Sequence, residues 1–158
     1  MRSFIAIDFN REIKNKVSQL QSRLRSLASA GRWKYVDNFH LTLKFLGEVK
    51  AEDTAGIINA LNAVSERTGV LRLKICSVGS FPGDDCLRVL WLGMSGDLEK
   101  LNALQASIDD TMNTLGFEKE RRRFTPHMTI GQDIKFHQRF DEIKELVEPL
   151  SFPDILVD

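Results

Sequence analysis

A chain of 158 residues, 42% hydrophobic and 28% charged, suits one domain with a substantial core and is ordinary for a water-soluble protein. Its 22 Lys and Arg balance 22 Asp and Glu, which argues against wrapping long nucleic-acid duplexes but leaves room for a small anion or a single RNA end. No run nears the roughly 18 apolar residues of a membrane helix, and the start is too briefly apolar for an export signal, so a cytoplasmic protein is expected.

Phe4 to Asp8 reads as a short apolar strand. Asn10 is placed to cap a helix through Ile13, Val17, Leu20 and Leu24, a spacing that keeps one face apolar, with Gly31 closing the region. Trp33 to Val36 is a short extended piece, and Phe39 to Leu46 a strand closed by Gly47. A second helix opens at Glu52 or Asp53, runs through Ile57, Ile58, Leu61 and Val64, and stops at Gly69. Val70 to Val78 alternates Leu71, Leu73 and Ile75 with Arg72 and Lys74, as a half-buried strand does. A turn at Phe81 to Asp85 leads to a strand over Leu87 to Met94.

Gly96-Asp97 opens a third helix through Leu98, Leu101, Leu104, Ile108 and Met112, ending at Gly116. Phe124 to Ile130 is a strand, Phe140 to Val147 a helix, and Phe152 to Val157 the start of a last strand. Cys76 and Cys86 belong to no CxxC or Cys/His grouping, and two reduced core thiols are expected.

Two of these strands share a phrase. His40-Leu41-Thr42-Leu43 and His127-Met128-Thr129-Ile130 both read His, apolar, Thr, apolar, in a chain with only three histidines. Side chains alternate faces along a strand, so each His shares a face with its Thr while the apolar pair is buried behind. A helix precedes the phrase in both halves, and no Pro, Gly or Ser linker divides them. The expectation is an α+β fold: one domain, 1–158, with two pseudo-symmetric lobes of antiparallel sheet and flanking helices around a central cleft.

Two imidazoles facing one cleft suit acid–base chemistry, because an ordinary imidazole pKa near ~6.5 allows one ring to accept a proton while the other donates. Attack of water on phosphorus needs both, and the Thr42 and Thr129 hydroxyls can hold the nonbridging oxygens where charge gathers. A serine-nucleophile site lacks a GxSxG elbow, and a metal site lacks HExxH, so neither metal nor cofactor is expected. His137, in a polar stretch before a helix, reads as a surface residue.

At these residues the chain resembles the two-histidine (2H) phosphoesterases, and within them the bacterial and archaeal RNA 2′,3′-cyclic phosphodiesterases, also called 2′-5′ RNA ligases. The likeness runs through Met1 to Ile7, Arg32-Trp33, Asn38 to Val49, Gly79 to Pro82, Arg88 to Gly93 and Phe124 to Ile130. It implies metal-independent opening of a terminal 2′,3′-cyclic phosphate to a 2′-phosphate, with reversible 2′-5′ joining, by a monomer acting on RNA ends. It also implies His40 as general acid, His127 as general base, Thr42 and Thr129 as phosphate holders, and Phe81 as a platform for a base. Related alternatives are a 2H esterase for a small cyclic nucleotide or 2′-5′ oligonucleotide, and an RNA-end-binding module without turnover.

Two departures stand out. Where the family often has an Arg after the second phrase, this chain has Gln132, which cannot make the charge-assisted, bidentate phosphate contact of a guanidinium. Either a nearby cation substitutes, Arg123 in the run Arg121-Arg122-Arg123 or Lys44, taken to share a strand face with His40 and Thr42, or phosphate affinity and rate are reduced; the plainer readings are a solvated strand end for Lys44 and a solvated turn for the arginines. Family members also continue past Asp158 through another strand, so one sheet is expected to lack an edge strand.

Overall fold

All 158 residues are described by the computed structural model, and the elements alternate as the hydrophobic periods require. In chain order they are β1 (Arg2–Asp8), α1 (Arg11–Ser26), β2 (Ala28–Trp33), β3 (His40–Glu48), α2 (Thr54–Arg67), β4 (Leu71–Pro82), β5 (Leu87–Gly96), α3 (Leu98–Thr114), β6 (His127–Phe136), α4 (Phe140–Val147) and β7 (Ile155–Val157). The architecture is α+β and wholly antiparallel, as expected. The two sheets are unequal: β1 and β3 form a two-stranded ribbon, while the second sheet runs β2-β6-β5-β4-β7.

Asn10 caps α1 through its side-chain oxygen, which accepts from Ile13 N–H at 2.9 Å. The apolar face of α1 (Ile13, Val17, Leu20 and Leu24) is buried with Leu41, Leu43, Met128 and Ile130 in one continuous core. Several boundaries differ from the expected ones. Residues 28 to 31, read as the tail of the first helical region, instead begin an edge strand, β2, which runs on to Trp33 and pairs with β6. β4 continues through Phe81 to Pro82, so the chain reverses after the ring and not at it. β6 starts at His127 and runs on to Phe136, leaving Phe124 to Pro126 outside the strand. The last strand is three residues long and pairs with β4. No helix is long and apolar enough to cross a membrane.

Candidate active site

His40 opens β3 and His127 opens β6, so the two phrases sit on different sheets. Both histidines and both threonines are half-buried, whereas Leu41, Leu43, Met128 and Ile130 are buried behind them. The four polar side chains line one cleft of about 720 Å³ together with Phe81, Arg123 and Gln132, which fits a nucleotide-sized ligand. His40, Thr42, Phe81, Arg123, His127, Thr129 and Gln132 therefore meet in one place, leaving Lys44 of the candidates to be placed. His137 lies elsewhere, exposed after the end of β6.

A strand that only alternated would not build this cleft. In β3, Thr42 pairs with Ala6 and Lys44 with Ile5, which leaves Leu43 as an extra residue. In β6, Thr129 pairs with Trp91 and Gly131 with Leu90, leaving Ile130 extra. Each phrase is thus followed by a β-bulge that re-aims the side chains beyond it. The third residue after each Thr sequence start, Phe45 in one strand and Gln132 in the other, is turned toward the cleft. Each bulge carbonyl meets a buried glutamine amide: Gln21 of α1 donates to Ile130 O at 2.9 Å, and Gln105 of α3 donates to Leu43 O at 3.3 Å.

The bulge overturns the expectation for Lys44. It is no solvated strand end: the extra residue sets it beside Leu43 on the buried side of β3, where it is 2% exposed although it still borders the cleft. Its ammonium pairs with the Asp109 carboxylate at 2.6 Å and donates to Glu118 O at 2.8 Å. Asp109 also accepts from Glu120 N–H. The pair therefore ties the segment between α3 and β6, which carries Arg122 and Arg123, to the strand of the first motif.

The two imidazoles have different surroundings. His127 Nδ1 lies 2.6 Å from Thr125 O. A carbonyl can only accept, so Nδ1 carries the proton and the neutral ring keeps its lone pair on Nε2. The ring is met edge-on by Phe81 at 5.2 Å, and Trp91 stands 6.1 Å away. Gly79 makes space for that indole, since a Cβ there would fall 2.2 Å from its ring carbons. His40 stacks on Phe4, centroids 4.6 Å apart, and faces Asp8 across the ribbon. Burial, and then the Lys34 ammonium, hold His40 below the usual imidazole range, while Asp8 acts the other way.

Lys44 being spoken for, other cations must meet an anion. Arg123 borders the cleft as expected, and so do Arg122, Arg88 and Lys34, none of which has an ion-pair partner. Arg121 is instead paired with Glu118. Arg88 and Lys34 were not singled out from the sequence, nor were Phe4 and Phe45. All four lie in or beside stretches that carried the resemblance, and counting cross-strand positions from the motifs would have found Phe4. The cysteines are unpaired but not core residues: Cys76 is exposed and Cys86 half-buried.

Comparison with known proteins gives the family and the fold. Residues 7–91 match the family described as LigT like Phosphoesterase. An RNA 2′,3′-cyclic phosphodiesterase of Methanocaldococcus jannaschii is 32% identical over 94% of this chain and 80% of its own. That of Thermotoga maritima is 32% identical over 99% and 81%. The apo crystal structure of Escherichia coli LigT superposes with a TM-score of 0.77 at 28% identity, covering 99% of this chain and 82% of that one. The chain belongs to the LigT-like 2H phosphoesterases.

Proposed function

We propose that the protein opens the 2′,3′-cyclic phosphate at an RNA end to a 2′-phosphomonoester, and that the same centre supports reversible 2′-5′ joining. The observation that carries this reading is the meeting of two His-x-Thr strands, from separate sheets, in one cleft bordered by unpaired cations. Relatives named RNA 2′,3′-cyclic phosphodiesterase and an Escherichia coli LigT structure complexed with 3′-AMP support it.

In the forward step His127 Nε2 takes a proton from water as its oxygen bonds to phosphorus. The bond from phosphorus to the 3′-oxygen breaks, and His40 gives that oxygen its proton. Thr42 and Thr129 hydroxyls donate to the nonbridging oxygens, and Arg123, Arg88 and Lys34 offset their charge. Incubation with a nucleoside 2′,3′-cyclic phosphate and with an oligonucleotide bearing that end should yield 2′-phosphate. A 3′-phosphate product, or binding without turnover, would count against the reading.

The pH dependence carries a sign. A general acid must be protonated, and His40 gives up its proton at lower pH than an ordinary imidazole in the unliganded protein. Bound phosphate, an anion, raises its proton affinity again. Because kcat/KM reports the free enzyme and kcat the complex, the alkaline limb of kcat/KM should lie at lower pH than that of kcat. Coincident limbs, or the opposite order, would remove His40 from the acid role.

Gln132 offers a separate test. Its amide lines the cleft because of the bulge at Ile130, so an Arg at this position can reach phosphate. Gln132→Arg should tighten product binding by roughly 1.5–3 kcal/mol at best, less where Arg88 and Arg123 repel the new charge. The gain should shrink as salt rises. If titration shows no change in Gln132→Arg while Arg123→Ala abolishes phosphate binding, the basic run is the clamp.

A further inference from the structure

Deepening the proposed function and resting on it, we propose that Lys34 is the cation that grips the phosphate group, from the side of His40. Of the four cleft cations without an ion-pair partner, Arg88, Arg122 and Arg123 are exposed, and Lys34 alone is half-buried. An exposed charge is screened by water and salt, whereas one partly withdrawn from water gains more from an anion brought to it. The neighbouring candidates are committed elsewhere. Arg32, opposite Gln132 on the paired strand, holds Asp133; Lys14 holds Asp8; Lys44 holds Asp109; and Gln132 is neutral.

The backbone at Lys34 is fixed to the second motif. Trp33 pairs with Gly131, and the next residue, Lys34, donates its N–H to Ile130 O at 3.0 Å. The Gln21 amide closes this corner, donating to Lys34 O at 2.8 Å and to Ile130 O at 2.9 Å. The Lys34 side chain leaves the corner for the cleft, where its charge reaches His40. Burial first, and then Lys34, hold that imidazole below its usual range; Asp8 opposes them and Lys14 adds least. Asp8 and Lys14 pair with each other at 2.8 Å, so Lys34 is the one charge around His40 still free to meet an anion. An ammonium meets phosphate as a point charge. Placed beside the acid, it offsets charge on a nonbridging oxygen while the bond to the 3′-oxygen breaks, and it keeps His40 a stronger acid.

Titration calorimetry with inorganic phosphate tests the assignment, at low salt and again at about 1 M salt, where the screening length falls to roughly 3 Å. Lys34→Met keeps the aliphatic stem, and the corner is held by backbone atoms and Gln21, so the fold should be spared. The variant should bind phosphate roughly 10- to 100-fold more weakly, the worth of a hydrogen bond to a charged group, and the loss should persist at high salt. Lys34→Arg should restore most of it. With a nucleoside 2′,3′-cyclic phosphate, the alkaline limb of kcat/KM should move to higher pH in Lys34→Met, because His40 keeps its proton longer without the neighbouring charge. A merely structural role would leave that limb in place. Parental phosphate affinity in Lys34→Met would overturn the proposal, as would a larger loss in Arg123→Ala or a loss that vanishes at high salt. The titrations do not depend on turnover. Loss of phosphate affinity in Lys34→Met, with no hydrolysis by the unaltered chain, would support the assignment and count against the hydrolytic reading.

Discussion

Replacing His40 or His127 by Ala should lower the rate of cyclic phosphate hydrolysis by a factor on the order of 10²–10⁴, the usual worth of general acid–base catalysis. Both rings are half-buried at strand starts, outside the apolar core, so far-UV spectra should stay those of the parent chain. If both groups act on one transition state, the double replacement should lose less than the product of the two single effects. The pH profiles assign the roles. His127→Ala should erase the acidic limb, where a base becomes protonated, and His40→Ala the alkaline limb, where an acid is lost. Near-full activity in either single variant would end the two-histidine mechanism for this chain.

The second large effect is on folding. Lys44→Met should reduce stability by on the order of 3–5 kcal/mol, because it leaves the Asp109 carboxylate buried without its counter-charge. The segment that carries Arg122 and Arg123 loses its tie through Glu118 O in the same variant. Urea titration would show the loss, and Lys44→Met combined with Asp109→Leu should recover much of it, since neither charge is then left alone. If the single variant were as stable as the parent but bound phosphate poorly, Lys44 would return to the role of ligand.

The site was legible in the sequence to the extent that alternation describes a strand. His40, Thr42, His127 and Thr129 face the cleft with their apolar neighbours behind them, and the resemblance added Phe81, Arg123 and Gln132. Lys44 was misplaced because alternation was carried past a bulge, and a bulge is set by pairing with β1, which lies far off in sequence. Helix α4 matched its expected span because its apolar period is clear, with Ile143 and Val147 buried. β2 went unseen for the opposite reason. Ala28-Ser29-Ala30-Gly31 carries no strand pattern, and these residues are extended because β6 offers them an edge. The unequal sheets escaped notice too, since a repeated helix-then-strand order says nothing about which sheet each strand joins.

The paired glutamines have a consequence for how the molecule can be divided. Gln21 belongs to the helix ahead of the first motif yet serves the bulge of the second, and Gln105 of α3 returns the contact to the first. Such reciprocity is the pattern of an isologous interface, where residue i of one copy meets j of the other and j meets i. Here the copies are two stretches of one polypeptide. Cut apart, each half would lose the glutamine that its own bulge carbonyl meets, and Gln21 would keep only its bond to Lys34 O. Half of the chain is therefore not half of the site: the two bulges brace each other across one polypeptide, and either half alone is left with one motif histidine on a strand whose bulge has lost its glutamine.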